Sequence, residues 1–161
     1  GRILKQTRCQ ADKLEGVEAQ AKVIAALVQA GIPVMAHIGL RPQNVHKMGG
    51  YKMQRDEDQL LADARAAEAA GAFAMVIECI PAPIAEEITA QMSIPTIGIG
   101  AGNACDGQVL VLNDLLGLTA AGGLRHVKAY ANLRQSVTDA VESYCREVKS
   151  GEFPGKEHAF G

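Results

Sequence analysis

The chain has 161 residues, 48% of them hydrophobic and 21% charged, with a formal net charge of -2. That is the size of one ordinary domain with enough apolar material for a core, which excludes a disordered chain. The mixed charge leaves no electrostatic footprint for nucleic acid or an anionic membrane surface, and no apolar run reaches the length of a membrane span.

Taken in chain order, GRILKQT at the start reads as the middle of a helix. ADKLEG places Lys13 and Glu15 two residues apart, on one face if this is a strand. Residues 18–30 have helical spacing, with Val23, Leu27 and Ala30 on one side and Gly31 as the stop. Residues 32–38 (IPVMAHI) form a short apolar strand, and 41–55 a long polar loop holding His46, Lys47 and Arg55 as lid candidates. Residues 56–70 open with acids at the positive end of a helix and stop at Gly71. A buried strand is expected at 72–79, a helix at 83–92 and a third strand at 94–99. A fourth strand is less clear at 109–112. From 125 to 149 the pattern is helical, with Val127, Tyr130, Leu133, Val137, Val141 and Tyr144 spaced as a buried stripe.

Strands with near-continuous apolar runs that alternate with helices indicate a parallel α/β fold. The turns AGIPV, AGAFAMVIE and MSIPTIGIG repeat one rhythm, a helix end followed at once by a buried strand. That is the rhythm of a (β/α) barrel. A full barrel needs eight strands and typically about 250 residues. The chain therefore reads as a single domain over 1–161, either a small open-sheet domain or, as preferred here, part of a barrel with C-terminal helices. Cys9, Cys79, Cys105 and Cys145 lie far apart without a CxxC pair. This weakens a zinc or thioredoxin-like reading and fits a reducing, cytoplasmic setting.

Polar residues at the carboxyl ends of buried strands are the candidates for chemistry. Glu78 ends AFAMVIEC, where partial desolvation would strengthen a carboxylate as a base; the alternative is an ion pair with a nearby Lys or Arg. His37 holds the matching place in IPVMAHIG and is otherwise a satisfied core histidine. Lys13 and Glu15 offer a cation for a carboxylate and an acid for a metal, or simply a surface ion pair. GIGAGNACDG at 98–107 is a Gly-rich loop after a strand, where α/β enzymes place ligands, although Asn103 and Asp106 also suit plain turns.

KLEG at 13–16, HIGLRPQNV at 37–45, GGYK at 49–52, IECIP at 77–81, GIGAGNACDGQVLVLNDLLGL at 98–118 and FPGKEHAF at 153–160 resemble, in order, the blocks of ketopantoate hydroxymethyltransferases. The resemblance covers essentially the whole chain. It implies a (β/α)8 TIM barrel of the phosphoenolpyruvate/pyruvate type, of which this would be the C-terminal part, and homo-oligomers that are often decamers. It implies Mg²⁺, 5,10-methylenetetrahydrofolate as co-substrate and a small 2-oxoacid as substrate. By resemblance Glu78 is the general base, Lys13 binds the oxoacid, His37 lines the same pocket and Glu15 belongs to the magnesium site. The family's first three strands, with two metal-ligating aspartates and a substrate-binding serine, would precede Gly1. Asp12 stands where the family has an apolar strand residue, Val17 where a second glycine is usual, and 122–126 departs from a Pro-basic-Phe pattern. Two other readings remain open at this stage. One is a catalytically inert fragment that keeps only assembly surfaces, and the other is a related Mg²⁺-dependent oxoacid lyase.

Overall fold

The structure, a computed structural model, describes residues 1–15, 18–41, 53–119 and 124–160. The lid candidates His46 and Lys47, the departure at Val17 and part of that at 122–126 lie outside these residues. The chain divides into two compact units, Gly1–Val109 and Leu110–Gly161.

The first unit holds a five-stranded sheet in the order β1-β2-β3-β4-β5, with every neighbouring pair parallel. The strands are β1 (Asp12–Glu15), β2 (Val34–Gly39), β3 (Ala74–Glu78), β4 (Thr96–Ile99) and β5 (Gly107–Gln108). Helices α1 (Arg2–Thr7), α2 (Ala21–Gln29), α3 (Glu57–Ala69) and α4 (Ala82–Gln91) fall before or between them. The strands lie side by side in sequence order, with no reversal of the kind that marks a doubly wound sheet.

The core shows which face the helices cover. Val34, Ala36, Ile38, Met75 and Ile77 of the strands form one cluster with Ile24 of α2, Leu60, Leu61, Ala64 and Ala67 of α3, and Ile84, Ala85 and Ile88 of α4. The paired residues Ala36 and Met75, and Ile38 and Ile77, put that cluster on one face of the sheet. Alternation sends Lys13, Glu15, Met35, His37, Val76 and Glu78 to the opposite face. Helices on one face and a sequential parallel sheet are the wall of a β/α barrel, as the rhythm of the sequence predicts.

The helix ends follow local chemistry. Asp56 caps α3 by accepting the Gln59 N–H at 3.1 Å, and Glu57 and Asp58 sit in the first turn. Such a cap contributes about 1 kcal/mol. Glu68, near the other end of α3, accepts from the Ser93 N–H and hydroxyl at 2.7 and 2.8 Å and fixes the turn into β4. Those donors, Ser93 side chain first, hold its carboxyl below the ordinary value.

Three expectations need correction. In α2 the buried residue is Ile24, whereas Val23 is 49% exposed and Ala30 lies past the helix end. A stripe through 24, 27 and 28 fits the same spacing, and only packing chooses between them. The strand expected at 109–112 is displaced to Gly107–Gln108, and Leu112–Leu115 is the short helix α5 of the second unit. There too, the long helix α6 (Leu133–Ser150) has no buried residue. Tyr130, Leu133, Val137, Val141 and Tyr144, expected as a buried stripe, are all exposed, and Val148 continues the row. The helix starts at Leu133 rather than 125, so Val127 and Tyr130 precede it; within this unit the row on α6 is left largely uncovered, with Phe153 set edge-on against Tyr144. Among the described residues no helix is long and apolar enough to cross a membrane.

Candidate active site

The four singled-out side chains share the helix-free face of the sheet, on three adjacent strands. Glu15 ends β1 and pairs in register with His37 of β2. Glu78 ends β3 and pairs with Gly39, two residues beyond His37 on β2. Adjacent strands lie about 4.8 Å apart, so this register sets three functional groups at one end of the sheet. Lys13 lies on the same face two residues before Glu15; it is exposed, and no hydrogen bond or ion pair joins it to the other three.

His37 and Glu78 meet. The imidazole Nε2 lies 3.0 Å from Glu78 Oε2, with His37 1% exposed and Glu78 18%. The distance is that of an ion pair, but the ring N–H is out of line for a hydrogen bond. Neither His37 nitrogen has a well-aligned partner among the described residues. A buried imidazole with both nitrogens unsatisfied is uncommon, because an unmade buried hydrogen bond costs about 1–3 kcal/mol. The partner of Glu78 is thus a histidine rather than the lysine or arginine weighed from sequence.

Backbone geometry places this carboxylate. Gly39 has φ +87°, and its position leaves no room for a side chain against the Glu78 carbonyl. The Leu40 N–H donates to that same carbonyl at 2.8 Å. Cys79 follows with φ 51°, unusual for a residue with a Cβ, and its N–H donates to the Ile99 carbonyl at 2.9 Å. The chain therefore turns sharply right after Glu78. Burial first, then the Glu78 charge, pushes the Cys79 thiol up, which keeps it protonated and a poor nucleophile.

The Gly-rich loop is held at its far end. Asp106 accepts the Thr96 N–H at 2.8 Å and the Thr96 hydroxyl at 3.0 Å, and Thr89 Oγ1 lies 2.9 Å from Thr96 Oγ1. Asp106 is thus a tether between the loop and the start of β4, more than a turn residue. Asp12, the acid standing where the family has an apolar strand residue, is half-exposed, and Cys9 Sγ lies 3.9 Å from its Oδ1.

No three His, Cys, Asp or Glu side chains among the described residues come together as metal ligands. A hard cation such as Mg²⁺ takes about six oxygen ligands. Glu15 would be one of them, so these side chains do not by themselves make a magnesium site.

Sequence reading missed Asp63, which is 4% exposed on the core side of α3. It accepts the Glu18 N–H and the Gln59 side-chain N–H, each at 2.9 Å. An acid between Leu61 and Ala64 on the apolar face of α3 was the available signal.

Residues 1–156 match the ketopantoate hydroxymethyltransferase family. The chain is 54% identical over 159 residues to the 3-methyl-2-oxobutanoate hydroxymethyltransferase of Rhodopirellula baltica, covering 99% of this chain and 59% of that protein. It is 54% identical over 164 residues to the enzyme of the same name from Geobacter metallireducens, covering 99% of this chain and 61% of that one. The chain spans about three fifths of the length of these curated relatives. Among solved structures, the Amycolatopsis orientalis BexX/CysO complex matches with a TM-score of 0.52 at 18% identity, over 96% of this chain and 63% of that chain, a likeness of fold alone. The match over nearly the whole chain places it in the ketopantoate hydroxymethyltransferase family.

Proposed function

We propose that this chain supplies the proton-transfer half of a site that moves a one-carbon unit from 5,10-methylenetetrahydrofolate to 3-methyl-2-oxobutanoate, giving 2-dehydropantoate for pantothenate synthesis. The observation that carries the reading is the His37–Glu78 contact at the strand ends, with Glu15 in register beside it. A carboxylate held against a buried imidazole is a positioned general base.

In this reading Glu78 removes the proton from C3 of the oxoacid, next to the ketone. His37 holds the carboxylate in place. Lys13 provides the cation for the substrate carboxylate. The C3 enolate forms the new C–C bond to the folate methylene carbon, that carbon's bonds to folate nitrogen break, and water supplies the hydroxyl as tetrahydrofolate leaves. Glu15 is the residue here that would contribute to a magnesium site; the metal would stabilise the enolate oxygen, and its other oxygen ligands would come from outside the described residues. Cytoplasmic location and a homo-oligomer accompany this proposal.

The test is to incubate the folded chain, alone and with the N-terminal portion of a family member, with 3-methyl-2-oxobutanoate in heavy water, and to follow exchange at C3 by NMR. Tetrahydrofolate release is then measured with methylenetetrahydrofolate and Mg²⁺. Exchange and release that depend on Glu78 support the assignment. A folded mixture that does neither refutes it.

A further inference from the structure

A small cavity of about 50 Å³ lies beside the carboxyl end of β2, lined by Gly39, Arg41, Gln54, Asp56, Gln59, Leu60 and Asp63. Two of its walls carry opposite charge. Arg41 Nε is buried and has no hydrogen-bond partner among the described residues. Asp63 is a buried carboxylate with two neutral donors and no cation within ion-pair distance among the described residues. A buried charge without a counter-charge is costly, and so is a buried unmade N–H. The cavity exceeds the roughly 10–15 Å³ that one water needs, and its polar walls offer the two or more partners such a water requires.

We propose that Arg41 and Asp63 are joined through a water in this cavity, and that the pair positions the two strand ends bearing Glu15 and His37. The connections run in both directions. Asp63 takes the backbone N–H of Glu18, three residues past Glu15, and so fastens the start of the short helical turn Glu18–Gln20 to α3. Arg41 follows Gly39 and Leu40 at the end of β2, four residues past His37. Through the water, α3 clamps both strand ends at the register where Glu15 and His37 are opposite. Neither Arg41 nor Asp63 touches the reacting groups; both are positioning residues. The positioning role rests on the active-site reading above, but the water-bridged pair does not.

The experiment separates the two. In the folded chain, NMR exchange of the Arg41 Nε–H is expected to be at least tenfold slower than that of exposed Arg134. Asp63→Asn, which still accepts from the Glu18 N–H, is expected to speed it several-fold. In the wild-type chain the Arg41 Nε–H is also expected to show a nuclear Overhauser cross-peak to a long-lived water, a readout that survives if Asp63→Asn fails to fold. Exchange unchanged by Asp63→Asn, or no water cross-peak, overturns the pair. For positioning, the chain is assayed with the N-terminal portion of a family member. Asp63→Asn and Arg41→Met should each lower kcat about tenfold with KM within about twofold, and the double variant should lose no more than either. Losses that multiply, or that fall on KM, overturn the positioning role. Should the wild-type mixture show no turnover, the active-site reading and the positioning role fail together, while the exchange result still decides the pair.

Discussion

Gly39 lies against the backbone carbonyl of Glu78, so closely that any side chain at position 39 would occupy the space of that oxygen. The φ of +87° at Gly39 adds a second demand for glycine. Gly39→Ala should therefore cost about 2–4 kcal/mol, combining left-handed strain with displacement of β3. Urea unfolding of the chain measures it, and a loss below 1 kcal/mol would show that the two strand ends yield easily.

Glu78→Gln keeps the shape of the side chain and removes its basicity. Its 18% exposure predicts little loss of stability. Proton exchange at C3 of the oxoacid should fall by roughly 10²–10⁴, the usual contribution of a general base. His37→Asn should produce a smaller loss, because it removes the support and leaves the base.

The core correction in α2 gives a sharp contrast. Ile24 is fully buried in the cluster and Val23 is 49% exposed. Ile24→Ala should cost about 2–5 kcal/mol, and Val23→Ala no more than about 0.5 kcal/mol. Equal effects in thermal unfolding would restore the stripe through Val23.

Asp106 predicts an acid-side loss of stability. The Thr96 N–H and then the Thr96 hydroxyl hold its carboxyl below the ordinary 3.8. Its ionised form is the one the fold prefers, so the tether is fully present above 3.8 and is lost as the pH falls through the lower folded value. Melting curves from neutral to acid pH should show Asp106→Asn with a lower Tm near neutrality and a shallower fall below pH 4. Parallel profiles would remove Asp106 from the acid transition.

Glu57 runs the other way. The Glu87 charge, then a hydrogen bond to Glu87, raise its carboxyl above the ordinary 4.5. Its contribution is present below that value and is lost as the pH rises through the raised one. Glu87→Gln should raise Tm at pH 7 and change nothing at pH 3, as calorimetry at the two pH values would show.

Much of this was legible in the chain. The strands bearing His37 and Glu78 are short apolar runs with a polar residue at or near the end, and alternation alone puts Lys13 on the same side as Glu15. Contact between His37 and Glu78 was not legible, since it depends on register between strands some forty residues apart. Asp63 escaped notice because an acid in a helix normally reads as surface; its burial makes sense only once the Glu18 N–H is opposite it. The row from Val127 to Tyr144 was read as core from periodicity, which reports an apolar side and cannot report what lies against it.

Met35, Ile97 and Ile99 stand half-exposed on the face that holds the four polar side chains. Water therefore reaches that face, and with it a high local dielectric. Two charges 4 Å apart are worth about 1 kcal/mol in water and about 4 kcal/mol at an effective dielectric constant near 20. A cover laid over Met35, Ile97 and Ile99 would thus multiply the pull of Lys13 on a bound carboxylate without moving an atom of it. If the proposed site is right, its reactive strength belongs to whatever excludes water from the sheet as much as to the groups the sheet displays.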